Sequence, residues 1–245
     1  YMVDIFTGIK MVVFDMAGTT IDEGGIVYKT LREILKKYNV TCTDEEFNKY
    51  HGINKVEVLD SLLKKNKVNV CLKKIEAEFY ELLHNNYKQF NLQAMHGCKE
   101  VFTKLRKRGI KVCLNTGYSK EMASYIINKV KLDDYIDGFM TSDQVKMGRP
   151  YPYMIHTLMS RFDIRHPKHV AKVGDTKNDM KEGVNACCGI NIGVLTGFDS
   201  MDNLLDSGAD VIVNKITDLN IANLFTSKTD RVDVEKNKVV PKMIK

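Results

Sequence analysis

Val13-Phe14-Asp15-Met16-Ala17-Gly18-Thr19-Thr20 closes the first apolar run of the chain, Met11–Asp15. An apolar run of this length, ending in an aspartate and a small glycine-containing turn, predicts a buried strand with Asp15 at its carboxyl end. Open parallel sheets bind their ligands at that edge. The backbone N–H groups of the turn at Ala17 and Gly18 suit an anion. Taken alone, Asp15 reads equally well as a turn or helix-capping aspartate, so the chemistry of the other strand ends has to decide.

Four further short runs predict strands: Ile110–Asn115, Val170–Asp175, Gly189–Leu195 and Asp210–Asn214. Between them lie helix-length amphipathic segments. Gly97–Arg108 carries Val101, Phe102 and Leu105 at helical spacing and stops at Gly109, and Ser119–Val130 presents Met122, Ile126 and Val130 on one face. Tyr153–Phe162 and Asp199–Leu205 complete the alternation, which predicts an α/β fold with a Rossmann-like parallel sheet. The stretch 23–95 breaks the pattern, with only helical periodicity over Ile26–Tyr38, Asp44–Tyr50, Asn54–Lys65 and Val70–Phe90. A helical block of about seventy residues after the first strand predicts an inserted cap that acts as a lid. The expected division is a core from 1–22 and 96–226, a cap at 23–95 and a tail at 227–245.

Composition excludes several classes. With 245 residues the chain buries roughly 70–75% of its unfolded surface and needs no disulfide or metal to fold. At 44% hydrophobic and 28% charged, with Gly 16 and Pro 4, it is neither collagen-like nor low-complexity. Net charge is +6, and half of it comes from Ser227–Lys245, where six Lys/Arg face three Asp/Glu. A solvated basic terminus explains that excess, so no nucleic acid partner is expected. No apolar run reaches the ~18 residues of a membrane span, and no signal peptide is expected from the first residues. The six cysteines form no C-x-x-C pair and no zinc spacing. They imply a reducing compartment, and cytoplasm is the expected location.

The other strand ends do match Asp15. Val173-Gly174-Asp175-Thr176-Lys177-Asn178-Asp179 places one carboxylate at a strand end and a second in the following turn, a pattern suited to a hard cation with oxygen ligands. Such a site, keeping several waters, favours Mg²⁺. Leu114-Asn115-Thr116-Gly117-Tyr118 brings the Thr116 hydroxyl to the same edge, and Gly148-Arg149-Pro150 offers a guanidinium fork for phosphate. Singly, Thr116 is a turn residue, Arg149 a surface charge and the acidic pair a solvated loop. Together, in this order, they are hard to obtain by chance.

The set resembles the haloacid dehalogenase superfamily over about residues 10–215. The resemblance implies Asp15 as nucleophile, Thr116 and Arg149 at the phosphoryl group with Gly18 of the first turn, and Mg²⁺ held by Asp15, the Ala17 carbonyl and Asp175 with Asp179 in support. Most phosphatases of this superfamily carry a general acid two residues after the nucleophile; here Ala17 cannot transfer a proton. The phosphonatase branch shares that alanine, and its Gly-Tyr and Gly-Arg-Pro match Gly117-Tyr118 and Gly148-Arg149-Pro150. Its members use a cap lysine, in a Gly-x-x-Lys segment about forty residues after the nucleophile, to form an imine with phosphonoacetaldehyde. Gly52-Ile53-Asn54-Lys55 stands there, and Asn54-Lys55-Val56-Glu57 resembles a capping box that starts a helix at Lys55.

Three cap positions depart from the branch: His51 replaces a methionine, Val58 a histidine and Gly25 a cysteine. A small phosphonate is therefore the leading substrate class. A phosphomonoesterase remains open, with acid from solvent or from His51, as does a silent phosphate-binding protein; dehalogenation has no need of the Mg²⁺ site. The resemblance also implies a homodimer through the cap.

Overall fold

Met11–Asp15 forms β1, and all five residues are buried. The chain then makes the short β2 (Ile21–Asp22), four helices and β3 (Gln93–Ala94), which pairs antiparallel with β2. The helices are α1 (Ile26–Lys37), α2 (Asp44–Asn48), α3 (Lys55–Lys65) and α4 (Leu72–Gln89). Strands and helices then alternate through α5 (Cys98–Lys107), β4 (Lys111–Thr116), α6 (Lys120–Lys129), β5 (Gly138–Thr141) and α7 (Tyr153–Arg161). They continue as β6 (Val170–Gly174), α8 (Lys177–Asn185), β7 (Ile190–Val194), α9 (Met201–Asp206) and β8 (Val211–Val213). This computed structural model describes residues 5–219 and the two-residue β9 (Val240–Pro241). Apart from β9, the basic tail at 227–245 lies outside the described residues.

The main sheet runs β5-β4-β1-β6-β7-β8-β9, parallel throughout except for the antiparallel β8–β9 edge. It is the expected α/β, Rossmann-like sheet. Strand β1 lies between β4 and β6, so the carboxyl ends of all three converge at the topological switch point. Side chains alternate along β1: Val12 and Phe14 join the core that continues into α1, α3 and α4, while Met11 and Val13 pack with Met154, Ile155 and Leu158 beneath α7. Burial on both faces explains why the strand is apolar without alternation.

The inserted helices gain their stability from packing, since five residues of α2 cannot hold a helix alone. Leu31, Leu59, Leu62, Phe79 and Leu83 are fully buried among them, each contributing roughly 1.5–3 kcal/mol by leaving water. Among the described residues no helix is long and apolar enough to cross a membrane.

The short β2–β3 pair was not expected, β3 lying in the stretch read as purely helical, and two larger elements also depart from expectation. β5 is an edge strand of four residues that begins on Gly138, too short and too weakly patterned to read as a strand. α8 replaces the expected turn around Asp179; its polar Lys177-Asn178-Asp179 start and Gly183 hide a helix that Thr176 caps by accepting from Asp179 N.

Candidate active site

Asp15 ends β1, Thr116 ends β4 and Asp175 follows β6, and all three are buried. Oxygens of Asp15, Asp175 and Asp179 lie within 4.8 Å of one another. Capping geometry places Asp179: its carboxylate accepts from Thr176 N at 3.2 Å, which locks the first turn of α8 behind the strand edge.

Arg149, singled out in the sequence, and Lys172, which was not, supply the counter-charges. Arg149 Nη1 meets Asp15 at 2.7 Å and Asp179 at 3.2 Å, and Lys172 Nζ meets Asp179 at 2.9 Å. Asn115 Oδ1 accepts from Arg149 and Lys172, while its amide donates to both oxygens of Glu182 at 2.8 and 2.9 Å. Glu182 in turn accepts from Arg149 Nε at 2.9 Å. A lysine in the middle of the apolar Val170-Ala171-Lys172-Val173 is the signal that was available, because a charge at that depth needs partners.

Arg149 has an acceptor for every part of its fork, including Asn115 O at 2.9 Å and Gly52 O at 3.3 Å. The bidentate phosphate clamp expected of it is thus not free; its Nη1 stands beside Asp15 instead. Gly18 departs in the same way, since its N–H is spent on Ile21 O at 3.0 Å.

Within this cluster two cations face four carboxylates, Asp15, Asp175, Asp179 and Glu182. Burial, followed by the charge of Asp179, pushes the Asp15 carboxyl up to about 6. Burial, followed by the charges of Asp15 and Asp179, also lifts Asp175 well above the ordinary range, against the pull of its neutral donors Phe198 N and Thr19 Oγ1, both at 2.9 Å. Burial alone would raise Asp179 too, but Arg149 and Lys172 hold it below its ordinary value. The converging buried oxygens of Asp15, Asp175 and Asp179 fit a hard divalent cation.

The insert closes over this edge. Lys55 opens α3, whose N-terminus is capped by Asn54 Oδ1 accepting from Val56 N at 2.8 Å and Glu57 N at 3.3 Å. The cap is one-sided: among the described residues no bond returns from the Glu57 side chain to Asn54. Lys55 is 4% exposed, and its Nζ donates to Ile53 O at 2.8 Å and Tyr28 OH at 3.3 Å. Burial lowers its ammonium to about 8 despite the opposing pull of Asp15. Lys55, Asp15, Ala17, Thr116 and Tyr28 line one small cavity of about 10 Å³, room for a single water.

Thr116 Oγ1 accepts from Tyr118 N at 3.2 Å. Tyr118 lines the cavity, its hydroxyl is bonded to Tyr87 OH at 2.7 Å, and Tyr87 donates to the buried Glu23 at 3.0 Å. His51, expected against the substrate, is absent from the cavity lining. Its ring is stacked on Tyr28 at 3.8 Å and covered by Phe198, and burial drives its imidazolium down to about 3.

The loop at 51–54 is fitted to the core by close backbone approach. A Cβ on Gly117 would lie 2.6 Å from Ile53 O, and one on Gly52, whose φ is 79°, would lie 2.5 Å from Thr176 Oγ1. Asn54 Nδ2 donates to Ser142 Oγ and Asn178 Nδ2 to His51 O, at 2.7 and 2.6 Å. Gly117→Ala is expected to lift this loop, weakening its docking by roughly 1–3 kcal/mol. Amide exchange over 51–55 should quicken; unchanged exchange would show the contact to be unimportant.

The chain is similar to known proteins. The model of the haloacid dehalogenase-like hydrolase family matches residues 12–192. A phosphonoacetaldehyde hydrolase of Bacillus cereus is 33% identical over 208 residues, covering 79% of this chain and 78% of that protein. A phosphonoacetaldehyde hydrolase-like protein from Oleispira antarctica superposes with a TM-score of 0.75 at 24% identity, covering 94% of this chain and 93% of the other. A β-phosphoglucomutase from Clostridium difficile gives 0.70 at 19% identity over 84% of this chain and 91% of its own, a likeness of fold. The chain belongs to the haloacid dehalogenase-like hydrolases, within their phosphonatase-like branch.

Proposed function

We propose that this hydrolase cleaves the C–P bond of a small phosphonate such as phosphonoacetaldehyde, using Mg²⁺, an aspartyl phosphate on Asp15 and an imine on Lys55. One observation carries the proposal: Lys55 and Asp15 line one small cavity in a chain that has Ala17 in place of an acid. The name of the Bacillus cereus relative supports the substrate class.

A carbanion is too poor a leaving group to depart unaided. Nζ of neutral Lys55 would condense with the aldehyde, losing water, and the iminium would draw in the C–P electron pair as Asp15 Oδ attacks phosphorus. The products of that step are the aspartyl phosphate and an enamine on Lys55. Protonation of the enamine carbon and hydrolysis release acetaldehyde and restore the lysine, and water cleaves the acyl phosphate to phosphate and Asp15. Thr116 Oγ1 would donate to a phosphoryl oxygen.

Asp15, Asp175 and the Ala17 carbonyl would hold Mg²⁺, with Asp179 tied to Arg149 and Lys172 in support. Bound there, the ion offsets the repulsion between a carboxylate and the phosphoryl oxygens. A cavity with room for one water admits a substrate only after the insert, acting as a lid, opens. Six free cysteines accord with a cytoplasmic location, and pairing through the insert belongs to the same proposal. A phosphomonoesterase of the same fold would draw its acid from solvent, since His51 lies outside the cavity lining.

Phosphate release should be measured from phosphonoacetaldehyde and from a panel of phosphate monoesters. With Mg²⁺ the phosphonate should be turned over at least about tenfold faster than any monoester. Excess chelator should stop the reaction and added Mg²⁺ should restore it. Release from monoesters alone, or a full rate in chelator, would contradict the proposal.

A further inference from the structure

Imine formation needs a proton carried to the carbonyl oxygen, and neither Ala17 nor Val58 has one to give. Tyr28, in the first turn of α1, does. Its hydroxyl oxygen accepts from Gly52 N at 3.0 Å and from Lys55 Nζ at 3.3 Å. Both acceptor positions of the phenol are thereby filled while Lys55 is charged. Among the described residues the hydroxyl has no acceptor for its own proton, and Tyr28 lines the cavity that holds Lys55, Asp15 and Thr116. The ring is fixed by stacking on His51 at 3.8 Å with an interplanar angle of 7°, by the edge of Phe47 at 6.2 Å and by Lys55 Nζ at 4.8 Å from its centroid. Burial keeps the phenol protonated at rest, well above its ordinary value.

We infer that Tyr28 is a catalytic residue, donating its phenol proton to the carbonyl oxygen of the substrate as Lys55 forms the imine; this rests on the phosphonate proposal above. Lys55 Nζ attacks the carbonyl carbon and the C=O pair moves to oxygen. The phenol proton passes to that oxygen, and one proton of the now cationic nitrogen passes to the phenolate, which gives a carbinolamine and restores Tyr28. In the second step the phenol proton goes to the leaving hydroxyl as the nitrogen lone pair forms C=N. Water departs, and a phenolate remains against the iminium N–H. Tyr28 and Lys55 thus act as a donor and nucleophile pair, which assigns a role to a tyrosine that no motif marks.

Tyr28→Phe keeps the ring that stacks on His51. With phosphonoacetaldehyde its kcat should fall roughly 100-fold or more with little change in KM. Borohydride trapping on Lys55 should slow in parallel yet reach the wild-type extent, because the lysine is still in place. In wild type the trapping rate should show a normal solvent deuterium isotope effect, a readout that does not depend on the variant folding. An unchanged kcat in Tyr28→Phe while Lys55→Arg is inactive would overturn the role of Tyr28 and leave the imine standing. A reduced final extent of trapping, or no isotope effect, would also overturn it, pointing to a scaffolding tyrosine. Normal turnover by Lys55→Arg would overturn the imine itself, and the role of Tyr28 with it.

Discussion

Asp15→Asn is expected to abolish phosphate release, by at least about 10³-fold, while the fold survives. The amide matches the carboxylate in size but cannot form an acyl phosphate. Its electrostatic effect on the fold runs the other way. In wild type the Asp15 carboxyl is raised to about 6, by burial first and then by the charge of Asp179. The native protein therefore holds a proton that the unfolded chain has already released, and stability falls as pH rises through the window from 3.8 to about 6. The amide removes this contribution, although Arg149 loses its 2.7 Å partner. Thermal unfolding in chelator should show a flatter pH dependence for Asp15→Asn than for wild type across that window. Activity above a few per cent of wild type would rule out nucleophilic attack by Asp15.

Lys55→Arg should be equally inactive toward the phosphonate. The guanidinium keeps the charge but does not lose its proton, so no nucleophilic amine arises. Wild-type turnover should instead climb with pH, about tenfold per unit below 8 and level above it, because burial brings the Lys55 ammonium down to about 8 and the neutral amine is the reactive form. Asp15 is already ionised over most of that range. The same depressed value makes folding more favourable as pH rises from about 8 towards 10.5, where the unfolded chain still holds the proton that the native chain has lost. A flat profile from pH 6 to 9, or normal turnover by Lys55→Arg, would show that no lysine amine takes part.

The residues legible in the sequence were those whose chemistry is local. Asp15, Thr116 and Asp175 stand out because each follows an apolar run that has one structural interpretation, and parallel strands bring such ends together. Lys55 stands out only through the Gly-x-x-Lys spacing of the branch the chain resembles, and the local Asn54 cap then sets it at a helix start. What stayed hidden is non-local. Tyr28 meets Lys55 across 27 residues, Arg149 meets Glu182 across 33, and Lys172 meets Asn115 across 57, with no shared motif to announce them. Arg149 was legible as a cation of the site but not as one whose donors the protein itself saturates. His51 was legible as a polar residue near the lysine, whereas its stacking between Tyr28 and Phe198 depends on a loop far along the chain. Among the elements, β5 and α8 escaped because a four-residue edge strand and a polar, glycine-containing helix lack the periodicity on which recognition depends.

The central claim, a lysine imine formed beside an aspartate nucleophile, is tested most directly in Asp15→Asn itself. That variant should condense with phosphonoacetaldehyde and stop there, since the C–P bond has no nucleophile to break it. Borohydride reduction followed by digestion and mass mapping should find Lys55 alkylated by a group that still carries the phosphonate, whereas wild type treated alike should carry the two-carbon remnant without phosphorus. No adduct on Lys55 in Asp15→Asn, alongside normal phosphate release by wild type, would contradict the account.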